Sequence, residues 1–244
     1  MNSLVQWSRH KYWDKVWNPM IGCKPCSPAC EHCYAAAWAK RFGQSFKPHT
    51  TKQRPSYKGV VFVGNMTDMF GEWLGDKPTN YIASLINWRS DAIYLWLTKR
   101  PENMCEALKP LVNVSTFNHY FGFTAENQQW YNNRIDTWRA EVPYWANRWL
   151  SVEPLLGPIG LGLRYIAPED QPFEWVVVGC ESGPKRRPCN MIWVESIVKE
   201  CMDAKIPVFV KQLDINGRCE TDINKFPAHL RIRQVPWKNL EEVK

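Results

Sequence analysis

The sequence predicts an α/β protein, a partial or open (β/α) barrel of about six parallel strands. Three observations predict it. Six short, nearly continuous apolar runs recur along the 244-residue chain. Stretches of helical pattern separate them, and each run ends in polar residues that a plain core strand does not need.

The first run, GVVFVGN at 59–65, follows the clearest loop, FKPHTTKQRPSYK at 46–58, which is basic and contains two prolines. AIYLWLTKRP at 92–101, YFGFTAEN at 120–127, RWLSVEPLLG at 148–157, FEWVVVGCESG at 173–183 and IPVFVKQL at 206–213 follow. Between them lie the helix candidates KPTNYIASLINWRSD at 77–91, NQQWYNNRIDTWRAEV at 127–142 and NMIWVESIVKECMDAK at 190–205. Strands alternating with helices imply a parallel sheet covered on both faces, and a further strand is expected before the cysteines. The chain reads as one domain over 1–244, with a cysteine loop at 22–35 and a C-terminal extension from about 214.

In a β/α barrel the C-terminal strand ends converge on one mouth, where substrates bind. The polar ends here are Asn65 with Asp68, then Thr98, Lys99 and Arg100, then Thr124, Glu126 and Asn127. Ser151 with Glu153, Glu181 with Ser182, and Lys211 with Gln212 complete the series. Helix caps and turn formers explain Ser151, Asp68 or Ser182 on their own. They explain Lys99, Glu126, Glu153 and Glu181 less well, because long charged side chains beside apolar runs need partners once buried.

Hydrophobic residues make up 45% and charged residues 23% of the chain, a globular balance. No apolar run approaches the ~20 residues of a membrane span, and MNSLVQWSRHKYW lacks a signal-peptide core, so the expected compartment is the cytoplasm. Thiols stay reduced there, and nine cysteines, an odd number, suggest metal or redox chemistry before disulfides. Cys105, Cys180, Cys189, Cys201 and Cys219 are scattered and read as buried thiols. A net charge of +7 permits a polyanionic partner, a solvated basic surface being the plainer alternative. Most of the fourteen Trp must pack in the core or line a pocket, leaving some to stack on a base.

The remaining four cysteines lie in GCKPCSPACEHCYA at 22–35. Cys26, Cys30 and Cys33 read as C-x3-C-x2-C, and Cys23, Cys30 and Cys33 as C-x6-C-x2-C. Three thiolates on one short loop can hold three irons of a 4Fe-4S cluster and leave the fourth open to a small molecule. Four thiolates could instead close a tetrahedral zinc site, with His32 as a spare ligand. A zinc site confined to eleven residues would staple little else. The helical pattern YAAAWAKRF that follows favours an anionic thiolate cluster at its N-terminus.

C-x3-C-x2-C followed by an aromatic residue, here Tyr34, resembles the motif of radical S-adenosylmethionine enzymes. The blocks VWNPMIGCKPCSPACEHCYA, LTKRPENM, SVEPLLGPI and VVVGCESGPKRRP resemble the phage-associated Gp37/Gp68 family, also called DUF5131, over roughly Trp13 to Trp237. The resemblance implies a radical-SAM-like β/α barrel binding a 4Fe-4S cluster and S-adenosyl-L-methionine. The family's three recurring cysteines correspond to Cys23, Cys30 and Cys33, so Cys23 and Cys26 compete for the third ligand place. By strand position, the resemblance puts Asn65 and Asp68 near the cofactor's amino group, and Thr124, Glu126 and Asn127 near its carboxylate or ribose. A backbone segment of GCESG would run close to the adenine.

It also implies one-electron cleavage of the cofactor, supplied by an electron donor, to a 5′-deoxyadenosyl radical that abstracts a substrate hydrogen. Lys99, Arg100, Glu153, Glu181 and Lys211 are the candidates for the substrate side. The basic loop, PKRRP at 184–188 and the Trp content suit a modified nucleobase, nucleotide or DNA as substrate, in phage-type base modification. A DNA base-repair lyase using the same cluster and a zinc-stapled, non-catalytic barrel that binds nucleic acid or protein are the alternatives.

Overall fold

The computed structural model describes residues 5–87, 91–111, 118–183 and 185–237. The last three residues before Asp91 in the first helix candidate, Pro184 of PKRRP and the final seven residues of the C-terminal extension lie outside them.

Among the described residues twelve strands form: β1 (Val5–Gln6), β2 (Lys15–Trp17), β3 (Met20–Ile21), β4 (His49–Thr50), β5 (Val60–Val63), β6 (Ile93–Thr98), β7 (His119–Thr124), β8 (Asn147–Val152), β9 (Trp175–Gly179), β10 (Val208–Ile215), β11 (Arg218–Glu220) and β12 (Gln234–Val235). The helices are α1 (Tyr34–Arg41), α2 (Lys77–Asn87), α3 (Pro101–Leu108), α4 (Gln128–Glu141) and α5 (Met191–Asp203). All six apolar runs are strands, β5 to β10, and β2 is the strand expected before the cysteines. An eight-stranded sheet has the order β11-β10-β9-β8-β7-β6-β5-β2. β2 with β5, β5 with β6, β6 with β7, β8 with β9 and β9 with β10 pair in parallel, whereas β11 turns back antiparallel on β10. The protein is therefore a mixed α/β fold with a mostly parallel, open sheet. Strand order follows chain order without reversal, as in a β/α barrel, and among the described residues no pairing joins β2 to β11.

The described chain divides into two compact units. The first, Trp13–Phe123 with Asn133–Asn147, contains β2 to β6, nearly all of β7, and α1 to α3. Every residue of β5 is buried, and Trp96 of β6 stacks on Phe121 of β7 with ring centroids 6.3 Å apart. The second unit, residues 5–12, 124–132 and 148–237 of those described, contains β9, β10, β11 and α5. Its core is an aromatic cluster in which Trp175 meets Tyr12, Trp149 and Trp237 at 5.0–5.2 Å. α5 buries Val194, Ile197, Val198 and Cys201, one face of a helix, and Asn190 Oδ1 caps its start by accepting the Ile192 amide. Of the thirteen described Trp, six are buried, Trp17, Trp96, Trp138, Trp149, Trp175 and Trp237, six are intermediate and Trp38 is exposed. Among the described residues no helix is long and apolar enough to cross a membrane.

Candidate functional site

In the first unit the cysteine loop is fastened to the C-terminal ends of β5 and β6. Gly64, at φ +73°, turns the chain after β5, and a Cβ there would lie 2.3 Å from Met69 Cγ. Gly22 opens the loop at φ +92°, with the Lys47 carbonyl oxygen where a Cβ would be. The Gly22 amide donates to the Met66 carbonyl at 3.0 Å, and Thr67 Oγ1 donates to the Gly22 carbonyl at 2.6 Å. At the far end of the loop, Tyr34 Oη donates to the Asn65 carbonyl.

Asp68 and Arg100 form the third fastening. The buried Asp68 carboxylate accepts from Thr98 Oγ1 at 2.6 Å, the Phe70 and Lys99 amides at 3.0 and 3.1 Å, and Arg100 Nη1 at 3.0 Å. Arg100 in turn pairs with Glu72 at 3.2 Å, lies 4.9 Å over the Trp73 ring and donates through Nη2 to the Lys24 carbonyl at 3.1 Å. Asp68 and Arg100, placed by the sequence beside cofactor and substrate, thus tie the strand ends to the backbone of the cysteine loop. Glu72 and Trp73 belong to this assembly and carried no sequence signal.

All four loop cysteines are free thiols of intermediate exposure. The Cys26 amide lies 3.5 Å from Cys30 Sγ and Ser27 Oγ lies 3.8 Å from it. A hydrogen bond from the Cys26 thiol, then the charge of Lys99 and the Cys26 and Ser27 amides, outweigh burial and push Cys30 down to about 4. The same thiol–thiolate bond, with burial second, pushes Cys26 up. Burial, aided by the Asp68 charge, pushes Cys23 up to about 11. Cys33 stands at the N-cap of α1, where its carbonyl accepts the Ala37 amide. Among the described residues no three His, Cys, Asp or Glu side chains already surround one point that could hold a metal ion. The donor chemistry fits an iron–sulfur cluster: soft thiols on one loop, one of them a thiolate, with Lys99 and Arg100 nearby to offset anionic charge. Asn65 Oδ1 and Trp73 Nε1, buried without hydrogen-bond partners, add an unused acceptor and donor at the same strand ends.

In the second unit the strand-end charges are paired with one another. Lys211 Nζ meets Glu153 Oε1 at 2.5 Å, and Gln212 Nε2 reaches the same oxygen at 3.3 Å. Neighbouring residues of a regular strand point to opposite faces. A register shift between Val210 and Gln212, relative to β9, is what lets both reach Glu153. The buried Glu181 carboxylate accepts from Arg187 Nε at 3.0 Å, Arg187 Nη2 at 2.5 Å and the Arg187 amide at 2.8 Å. Arg186 forks onto Asp214 at 2.9 and 3.0 Å, and that bond, chiefly, lowers the Asp214 carboxyl. The two arginines of PKRRP, read from sequence as suited to a nucleotide or nucleic-acid substrate, are therefore committed to Glu181 and Asp214.

Thr124 and Glu126 are buried, and the Glu126 carbonyl accepts the Leu156 amide at 2.7 Å. Asn127 caps α4, its Oδ1 accepting the Trp130 amide at 3.1 Å. Of the scattered cysteines, Cys105, Cys180, Cys189 and Cys201 are buried as expected, but Cys219 is half exposed. A hydrogen bond from Cys180, first, brings Cys219 down to about 7.

Fold and site define a class: an open α/β protein with a four-thiol loop fastened across parallel strand ends and paired charges on other strand ends. A family model described as a protein of unknown function, DUF5131, matches residues 7–229, and the chain belongs to that family. No curated protein matches it.

Proposed function

We propose that the protein is a radical S-adenosylmethionine enzyme that acts on a nucleobase, nucleotide or DNA-linked substrate, in phage-type base modification. The observation that carries this reading is the cysteine loop, held to the ends of β5 and β6 by the Gly22–Met66, Arg100–Lys24 and Tyr34–Asn65 hydrogen bonds, where the Cys26 thiol and the Lys99 charge favour the thiolate form of Cys30. Cys30 and Cys33, with either Cys23 or Cys26, would hold a 4Fe-4S cluster. When bound, the cluster and cofactor would supply one-electron carbon–sulfur cleavage, with 5′-deoxyadenosine appearing once a substrate hydrogen has been taken.

The chain's own residues bind, orient and carry charge. Asp68 fixes Arg100, and Arg100 holds the loop through the Lys24 carbonyl. Lys99 places positive charge near Cys30. Asn65 Oδ1 is an acceptor suited to the cofactor's ammonium, at the strand end where the family resemblance puts it. Glu153 with Lys211 and Glu181 with Arg187 are ion pairs in the other unit, each charge already offset by its neighbour.

The test is release of 5′-deoxyadenosine by anaerobically reconstituted, chemically reduced protein, with and without DNA carrying modified pyrimidines. Release stimulated by modified DNA is expected. No release, with equal and negligible binding of modified and unmodified DNA, would overturn the reading.

A further inference from the structure

We infer that the outer face of α1, together with the basic loop at 46–58, is a stacking platform for single-stranded nucleic acid that leads into the cysteine loop. This rests on the proposed nucleobase substrate and says how that substrate is presented. Tyr34, Trp38 and Phe42 recur every four residues, so their rings line one side of α1 and its C-terminal end at ~6 Å intervals along the axis. They are 54%, 45% and 56% exposed. Trp38 and Phe42 lie 4.8 Å apart, Arg41 stands over the Phe42 ring at 5.7 Å, and Tyr34 directly follows Cys33. The other large exposed hydrophobics among the described residues, such as Tyr144, Tyr165, Ile192 and Met202, form no comparable row.

Charge decides what covers this face. Between Glu31 and Asp68 the sequence has no acidic residue and six cations, Lys40, Arg41, Lys47, Lys52, Arg54 and Lys58, against a net charge of +7 for the whole chain. All six are exposed. PKRRP adds little, since its arginines face Glu181 and Asp214. Exposed aromatic rings beside exposed cations suit a strand whose bases stack while its phosphates meet lysine and arginine. A duplex, with its bases already stacked, gains only the charge term.

The test is fluorescence anisotropy of a short labelled DNA single strand, and of the matching duplex, titrated with the full chain at several salt concentrations. The wild type should prefer the single strand. Trp38→Ala and Phe42→Ala should each weaken that binding about tenfold while leaving the melting temperature unchanged, as expected for exposed rings. Lys52→Glu with Arg54→Glu should flatten the salt dependence for both probes. Single-strand binding untouched by the ring substitutions would overturn the inference. So would binding to phosphatidylserine vesicles with none to the oligonucleotide. Cys30→Ser separates this from the enzymatic reading, because the strand should still bind to a chain that takes up no iron. Strand binding without 5′-deoxyadenosine release by the wild type would leave the platform standing and remove the enzyme. Release without strand binding would do the reverse.

Discussion

In the unit that carries the cysteines, Asp68 fixes Arg100, and Arg100 donates onto the cysteine loop. In the other unit, Glu153, Glu181 and Asp214 accept hydrogen bonds from the cations Lys211, Arg187 and Arg186. Both use the same sequence device, charge at the end of an apolar strand. The first arrangement positions a loop, whereas the second neutralises its own burial. A strand-end charge therefore signals that a partner exists, and the partner's identity decides whether the residue holds a site or is held by its neighbours.

The largest expected effect separates the units outright. Cys30→Ser should abolish iron uptake, whereas Cys219→Ser in the second unit should leave it intact, as read by iron analysis after reconstitution. Of Cys23→Ser and Cys26→Ser, one should retain the cluster, and that comparison identifies the third ligand. Next come Arg100→Ala and Arg187→Ala, which strip the partner from the buried carboxylates Asp68 and Glu181. Each should cost about 3–5 kcal/mol in urea unfolding. Only Arg100→Ala should also speed alkylation of the loop thiols. Equal alkylation in the two variants would break the distinction drawn between the units.

A smaller effect depends on pH. Burial pushes His119, in the first unit, down to about 3 from an ordinary 6.5. The unfolded chain therefore takes up this proton first as pH falls. The stability contribution is complete above 6.5 and declines by about 1.4 kcal/mol per pH unit between there and about 3. His119→Asn should flatten that slope in unfolding titrations. Smallest is Asn127→Ala, expected to cost about 1 kcal/mol as the loss of a helix cap without changing cofactor binding. A large loss of cofactor binding would instead put Asn127 in the site.

Strands β5 to β10 were legible because each is a continuous apolar run, as burial on both faces of a parallel sheet requires. The loop thiols were legible from spacing alone. The clamp was not, since Arg100 and Lys24 are 76 residues apart and nothing local in either marks the contact. Nor was the fate of PKRRP: a run of cations looks solvated in sequence, and only the fold brings Asp214, 28 residues from Arg186, into reach. Asn127, placed by the family resemblance beside the cofactor, caps α4 instead, at the residue that opens the helical pattern at 127–142. The register shift at Lys211 also escaped, because an extra residue in a strand leaves no mark in composition.

The central claim is that the cysteine loop is an iron–sulfur site. The most direct test is metal and sulfide analysis of the chain purified and reconstituted without oxygen. About four irons and four sulfides per chain are predicted, with a visible spectrum that changes when S-adenosylmethionine is added. One zinc per chain, with no iron uptake, would contradict it and make the four thiols a structural staple.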